Sequence, residues 1–223
     1  YAEHLCTYIY KFDIIERELR KPHSIVTDLT LNILEEKIEK YKPEYIGFSV
    51  PFPGNLLQCI KCAEYIKSHH PQIKTIMGGG YVNTELRKMT DTGVFKYIDF
   101  ITFDDGELPL LRIVTGGELV RTATARADSE KKTRVIFCNM DSKENIPFGE
   151  LPAPTTAGLP MDKYLNFTDS TNPMHRLWSD GKWNKMMLAH GCYWAKCAFC
   201  DTTLDYIRRF ERCDIGIIVD RME

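Results

Sequence analysis

"YIGFSVPFPGNLLQCIKCAEYIKSHHPQIKTIMGGG", residues 45–80, decides the fold class. Its opening run, "YIGFSV" (45–50), is short and mostly apolar, as expected of a strand buried on both faces. From about Asn55 to His69, the residues Leu56, Cys59, Ala63 and Ile66 recur at helical spacing and lay an apolar stripe along one helix. "KTIMG" (74–78) is a second strand, and it runs into the glycine triplet Gly78, Gly79 and Gly80. Strand, helix and strand in that order make one βαβ unit, with parallel strands and a right-handed crossover.

The same alternation extends outward. "DLTLNILEEKIEKY" reads as a helix that starts at a capping Asp28, carries Leu31, Leu34, Ile38 and Tyr41 on one face, and is stopped by Pro43. Tyr8–Tyr10 and Ser24–Val26 are candidates for a short strand ahead of it. Downstream come a polar helix near Thr84–Thr90, a strand "YIDFITF" (97–103) and a helix from about Glu107 to Val114. Strand starts recur about every 25 residues, the length of a βα unit. Residues 26–116 therefore read as an open α/β sandwich on a parallel, Rossmann-like sheet.

From Gly116 the texture changes. "ELVRTATA" and "TRVIFCNM" suggest a β-hairpin, and "NIPFGELPAPTTAGLP" an extended connector rich in Pro and Gly. "KMMLAHG" (185–191) is once more a buried strand. The expected division is an α/β domain over 1–116, a hairpin and connector over 117–184, and a further domain beginning at 185–223. In "RCDIGIIVDRME" the residues Ile215, Ile218, Val219 and Met222 share one helical face. The chain opens at Tyr1 without an initiator Met and closes inside that helix, as a piece of a longer protein would.

Composition bounds the function. Of the 223 residues 43% are apolar and 27% charged, an ordinary globular balance. A net charge of −2 argues against a basic nucleic-acid-binding face or a membrane-surface patch. No apolar run approaches the roughly 20 residues of a spanning helix, and the charged opening stretch is not a secretory signal. Eight cysteines in such a chain read as thiols or metal ligands rather than a disulfide framework, which favours the cytoplasm.

Three of those cysteines stand in "AHGCYWAKCAFCD" (189–201), with the spacing C-x4-C-x2-C: Cys192, Cys197 and Cys200. Soft sulfur donors select iron–sulfur clusters or zinc over hard cations. A structural zinc needs four ligands; Cys213 is a candidate for the fourth, and His190 lies too near Cys192 to chelate easily beside it. Three thiolates alone suit a four-iron cluster with one iron left open. The loop also leaves the end of a strand, which in a (β/α) barrel is the catalytic face.

"GCYWAKCAFCD" resembles the cluster loop of the radical S-adenosylmethionine (radical SAM) enzymes, including the aromatic Phe199 before the last cysteine. The commonest family pattern has one residue fewer between the first two cysteines; the longer "GCYW" form resembles a sub-group with an N-terminal cobalamin-binding-like domain. The resemblance implies a 4Fe–4S cluster on Cys192, Cys197 and Cys200, with S-adenosylmethionine on the fourth iron and Phe199 beside them. It implies reductive cleavage to a 5′-deoxyadenosyl radical, an electron donor such as flavodoxin or ferredoxin, and a small-molecule or other substrate that nothing here identifies. It also implies that 185–223 opens a radical SAM barrel.

The resemblance reaches upstream to "YIGFSVPFPGNL", "IMGGGYVNTELR" and "YIDFITFDDGELPLL", three loops at carboxyl ends of strands, where open α/β sheets bind ligands. The candidates for a cobalamin-like site there are Ser49, Gly78, Gly79, Gly80, Asp104, Gly106 and Glu107, with Asp105 in the same polar turn. The family's cobalt-ligating Asp-x-His-x-x-Gly is absent, so cobalamin would bind without a histidine below the cobalt, or the domain binds nothing. The reading from a different class is a cobalamin- or nucleotide-binding sensor module whose cysteines clip a structural zinc.

Other features have plainer explanations. Cys59 and Cys62 form a C-x2-C but lie inside a helix, as small buried hydrophobes. His69 and His70 end that helix as surface caps. Trp178 and Trp183 flank an Asp-Gly turn and suit packing.

Overall fold

Helix α1 (Asp13–Leu19) is followed by α2 (Ile25–Tyr41), and Ser24 sets where α2 begins. Its hydroxyl accepts the Thr27 N–H at 3.3 Å, one of the orphan donors of a first turn. The expected cap, Asp28, is therefore already inside the helix, and Ser24–Val26 is helix start rather than strand. Lys42 closes α2 in the left-handed conformation (φ +46°), its N–H returned to Ile38. The structure, a computed structural model, describes residues 12–127, 132–153, 155–160, 163 and 186–222. Tyr8–Tyr10, Trp178 and Trp183 lie outside them.

Two compact units divide the chain, Tyr1–Asn145 and Ile146–Glu223. In the first, strand β1 (Tyr45–Ser49) leads into α3 (Leu56–His69), β2 (Lys74–Gly78), the short α4 (Gly80–Glu85), β3 (Phe100–Thr102) and α5 (Glu107–Val114). A hairpin, β4 (Thr122–Ala127) and β5 (Thr133–Cys138), completes it. The sheet runs β1-β2-β3-β4-β5: the first three strands are parallel, and β4 and β5 continue antiparallel. The fold is thus α/β on a mixed five-stranded sheet. Within the described residues the parallel strands follow chain order, with no reversal among them.

Right-handed crossovers between strands added in one direction put α3 and α4 on one face, and a single core joins them there. It includes Leu56, Ile60 and Ala63 of α3, Val82 of α4, and Met77, Ile101 and Phe103 of the sheet. Ile60, Ala63 and Ile66 are fully buried, the two isoleucines each worth about 1.5–3 kcal/mol of transfer free energy. Helices α1 and α2 pack on α3 in turn.

Three expectations are corrected here. Among the described residues β1 is an edge strand: Gly47 and Ser49 are exposed, and nothing lies within 4 Å of where a Gly47 Cβ would stand. The short helix after β2 begins at Gly80, ahead of Thr84–Thr90, because α4 starts directly from the turn at Gly79. The hairpin does not open a connector at 117; β4 pairs with β3 from Ile101↔Ala123 to Thr102↔Thr122, so the sheet extends through it and the first unit closes at Asn145.

The second unit contains a 3-10 turn at Phe148–Glu150, β6 (Ala189–His190), α6 (Asp205–Arg208), β7 (Glu211–Arg212) and α7 (Ile215–Asp220). The strand expected over 185–191 is only two residues long, and its partner β7 runs antiparallel, Ala189↔Arg212 and His190↔Glu211. Gly191 explains the geometry: its φ of +74° turns the chain sharply, and the Arg209 carbonyl packs where its Cβ would be. Asp214 caps α7 by accepting the Gly216 N–H at 2.8 Å. Of the expected stripe, Ile215, Val219 and Met222 are exposed and Ile218 is half-buried.

Candidate functional site

The cysteine loop hangs from the β6–β7 pair. Leu188 accepts the Cys213 N–H at 3.1 Å, Glu211 accepts the Phe148 N–H at 2.7 Å, and Phe148 meets His190 edge to face at 6.3 Å. From that base the chain leaves through Gly191 into Cys192. Ala195 takes a left-handed conformation (φ +45°) and donates its N–H to Cys192 Sγ at 3.5 Å. The Cys200 N–H reaches Cys197 O at 3.3 Å, and Asp201 accepts the Thr203 N–H at 3.1 Å. Tyr193 packs edge to face on Phe210 at 5.9 Å.

Cys192, Cys197 and Cys200 are all unpaired and half-buried, whereas Cys213 is buried. Phe199 is 89% exposed, so its ring touches no core. Among the described residues no three His, Cys, Asp or Glu side chains converge on one point. The donor set nonetheless fits a cluster in its chemistry: three soft thiols on one short loop, with a backbone N–H on a sulfur, the contact that steadies a thiolate ligand.

The other candidates gather at the carboxyl edge of the sheet; the glycine triplet and Asp104 are engaged by the chain, while Ser49, Gly106 and Glu107 are exposed. A Cβ on Gly78 would stand 2.7 Å from Thr102 Oγ1, one on Gly79 2.8 Å from the Val50 backbone, and one on Gly80 3.2 Å from Pro51 O. Gly79 also has a φ of +111°. Gly79 and Gly80 are therefore crowded by the β1–α3 loop, and Gly78 by Thr102 of β3. Ser49 sits exposed at the end of β1, opposite Gly78 in register. Gly106 caps α5, and Glu107 places a carboxylate in its first turn, a favourable position in the helix field.

Asp104 is the most engaged. It takes a left-handed φ of +61°, its N–H is accepted by Asn83 Oδ1 at 2.6 Å, and its carboxylate pairs with Arg87 and Arg121. Arg121, 2% exposed, donates to Ser142 O at 2.9 Å, Glu144 O at 2.7 Å and Asn145 Oδ1 at 2.9 Å. Arg87 also covers the Phe103 ring at 5.7 Å. The sequence reading missed Asn83, Arg87 and Arg121. The usable signal was Arg121, a cation opening the apolar strand pattern "RTATA", since a buried cation demands a partner.

Cys59 and Cys62 are buried in α3 as expected. Burial pushes both thiols upward, Cys59 also through its neighbour Cys62, so neither is a nucleophile at neutral pH. His70 pairs with Glu35 at 2.8 Å, and His69 stacks on Tyr65 at 4.1 Å. No described helix is long and apolar enough to cross a membrane.

The chain matches no family model, and comparison with curated proteins and with solved structures returns no match.

Proposed function

We propose that residues 189–201 are the cluster loop of a radical S-adenosylmethionine enzyme, and that the mixed α/β unit is its amino-terminal domain. The supporting observation is the C-x4-C-x2-C spacing, its three half-buried unpaired thiols, and its departure from a strand through Gly191. Cys192, Cys197 and Cys200 hold the 4Fe–4S cluster. When bound, that cluster supplies the electron that cleaves S-adenosylmethionine, drawn from a flavodoxin- or ferredoxin-like donor. The protein's own part is to deliver three thiolates from one loop and to donate the Ala195 N–H to Cys192 Sγ. Phe199, held out of the core, is placed to pack against the bound nucleoside. The substrate, a small molecule or another, is not encoded in the described residues.

Anaerobic reconstitution with iron and sulfide tests this. The expected product is brown, with a broad absorption band in the blue and iron and sulfide in equal amounts. A colourless protein that takes up one stoichiometric zinc instead overturns it.

A further inference from the structure

We infer that the carboxyl edge of the sheet is a closed structural joint and not a cobalamin site. The inference stands apart from the cluster reading, since it concerns only the first unit.

A cobalamin edge must offer the corrin and its side chains some backbone N–H and C=O groups and open space at the loop tips. Here those groups are spent within the chain. The Val50 N–H is donated to Gly78 O at 2.7 Å, and Val50 O accepts the Tyr81 N–H at 3.1 Å. The Asn83 N–H is donated to Gly79 O at 3.1 Å, and the Asn83 side chain holds both the N–H and the carbonyl of Asp104, at 2.6 and 3.3 Å. The loop tips thus bond to each other.

Side chains fill the space as well. Val50, Val82 and Phe103 are fully buried at this edge, with Tyr81 at 5% and Asn83 at 6% exposure. The sides of Gly78 and Gly79 that lack a Cβ face Thr102 and Val50, so that room is already used. The Asp104 carboxylate is neutralised by Arg87 and Arg121. Through Arg121 the joint also fastens the segment from Ser142 to Asn145.

Among the described residues, two grooves that the loop tips do not line hold open volume. One of about 670 Å³, lined by Arg112, Val120, Phe137 and Asn139, flanks the hairpin where β5 ends. The other, of about 640 Å³, lies at the opposite end of the strands and is lined by Ile38, Lys42, Tyr45, His70, Ile73 and Lys74, where β1 and β2 begin. None of the chain's six histidines stands in a cobalt-ligating Asp-x-His-x-x-Gly.

Equilibrium dialysis of the whole chain against cyanocobalamin, whose cyano ligand guards the cobalt from thiols, tests the inference. It is paired with amide hydrogen exchange in the absence of cobalamin. The expected result is equal cyanocobalamin on both sides of the membrane, with slow exchange at the Val50, Tyr81 and Asp104 amides. One-to-one retention by the protein overturns the inference. Fast exchange at those three amides, the mark of loops waiting for a ligand, overturns it equally.

Discussion

Arg121 Nε stands 3.7 Å from Asp104 Oδ2, and this pair joins the residue that precedes β4 to the loop that ends β3. Arg121 is 2% exposed, so its charge is held by Asp104 and by three acceptors in 142–145.

Breaking such a pair from one side leaves a buried charge without its partner, which costs about 3–5 kcal/mol. Arg121→Met should fall at the lower end, because Arg87 still neutralises Asp104. Urea denaturation reads the loss; a midpoint equal to wild type contradicts the burial of this pair.

Gly79→Ala should destabilise by about 1–3 kcal/mol, since alanine meets both a positive φ and the Val50 backbone. Gly47→Ala is the internal comparison. Gly47 lies in the exposed face of β1 with open space at its Cβ, so its change should stay within about 0.5 kcal/mol of wild type. Equal losses at the two positions contradict the close loop approach.

Asp99 contributes to the acid sensitivity of the first unit. Burial raises its pKa, but the Lys67 hydrogen bond at 2.6 Å, the Thr75 N–H at 2.7 Å and the charges of Lys67 and Lys74 outweigh that, and the net shift is downward. A carboxyl whose pKa is lower folded than unfolded stabilises fully above the unfolded value, near about 4. That contribution is lost as pH falls through the lower folded value. Asp99→Asn should cost about 1–3 kcal/mol at neutral pH, with the gap from wild type closing as pH drops below about 4. A gap that is constant with pH contradicts the sign.

Thiol labelling should separate two groups of cysteines. Without metal, Cys192, Cys197 and Cys200 should react rapidly with iodoacetamide. Cys59 and Cys62, buried and with their pKa values raised, should react only on unfolding. Peptide mass spectrometry reads this, and rapid labelling of Cys59 contradicts the packing of α3.

The regular parts of the fold were legible because their signals are local. The stripes of α2 and α3 and the apolar runs of β1 and β2 state their own period, so those elements stand where the spacing puts them. What was not legible depends on partners far along the chain. Nothing local says that β4 will pair with β3, that Asp104 will meet Arg121, or that Glu211–Arg212 will return beside Ala189–His190. The start of α2 turned on one hydroxyl, Ser24, against an equally plausible Asp28. The glycine triplet was visible, but its causes, Thr102 at Gly78, the Val50 backbone at Gly79 and Pro51 at Gly80, were not.

The central claim is that three thiols of one loop, and no fourth, hold the cluster. Iron and acid-labile sulfide, measured after anaerobic reconstitution of wild type and of four single variants, test it most directly. Cys192→Ala, Cys197→Ala and Cys200→Ala should each lose the iron and sulfide of the wild type, while Cys213→Ala keeps both. If Cys213→Ala loses bound metal as the other three do, and that metal is zinc, the loop is a four-thiol clip and the account is wrong.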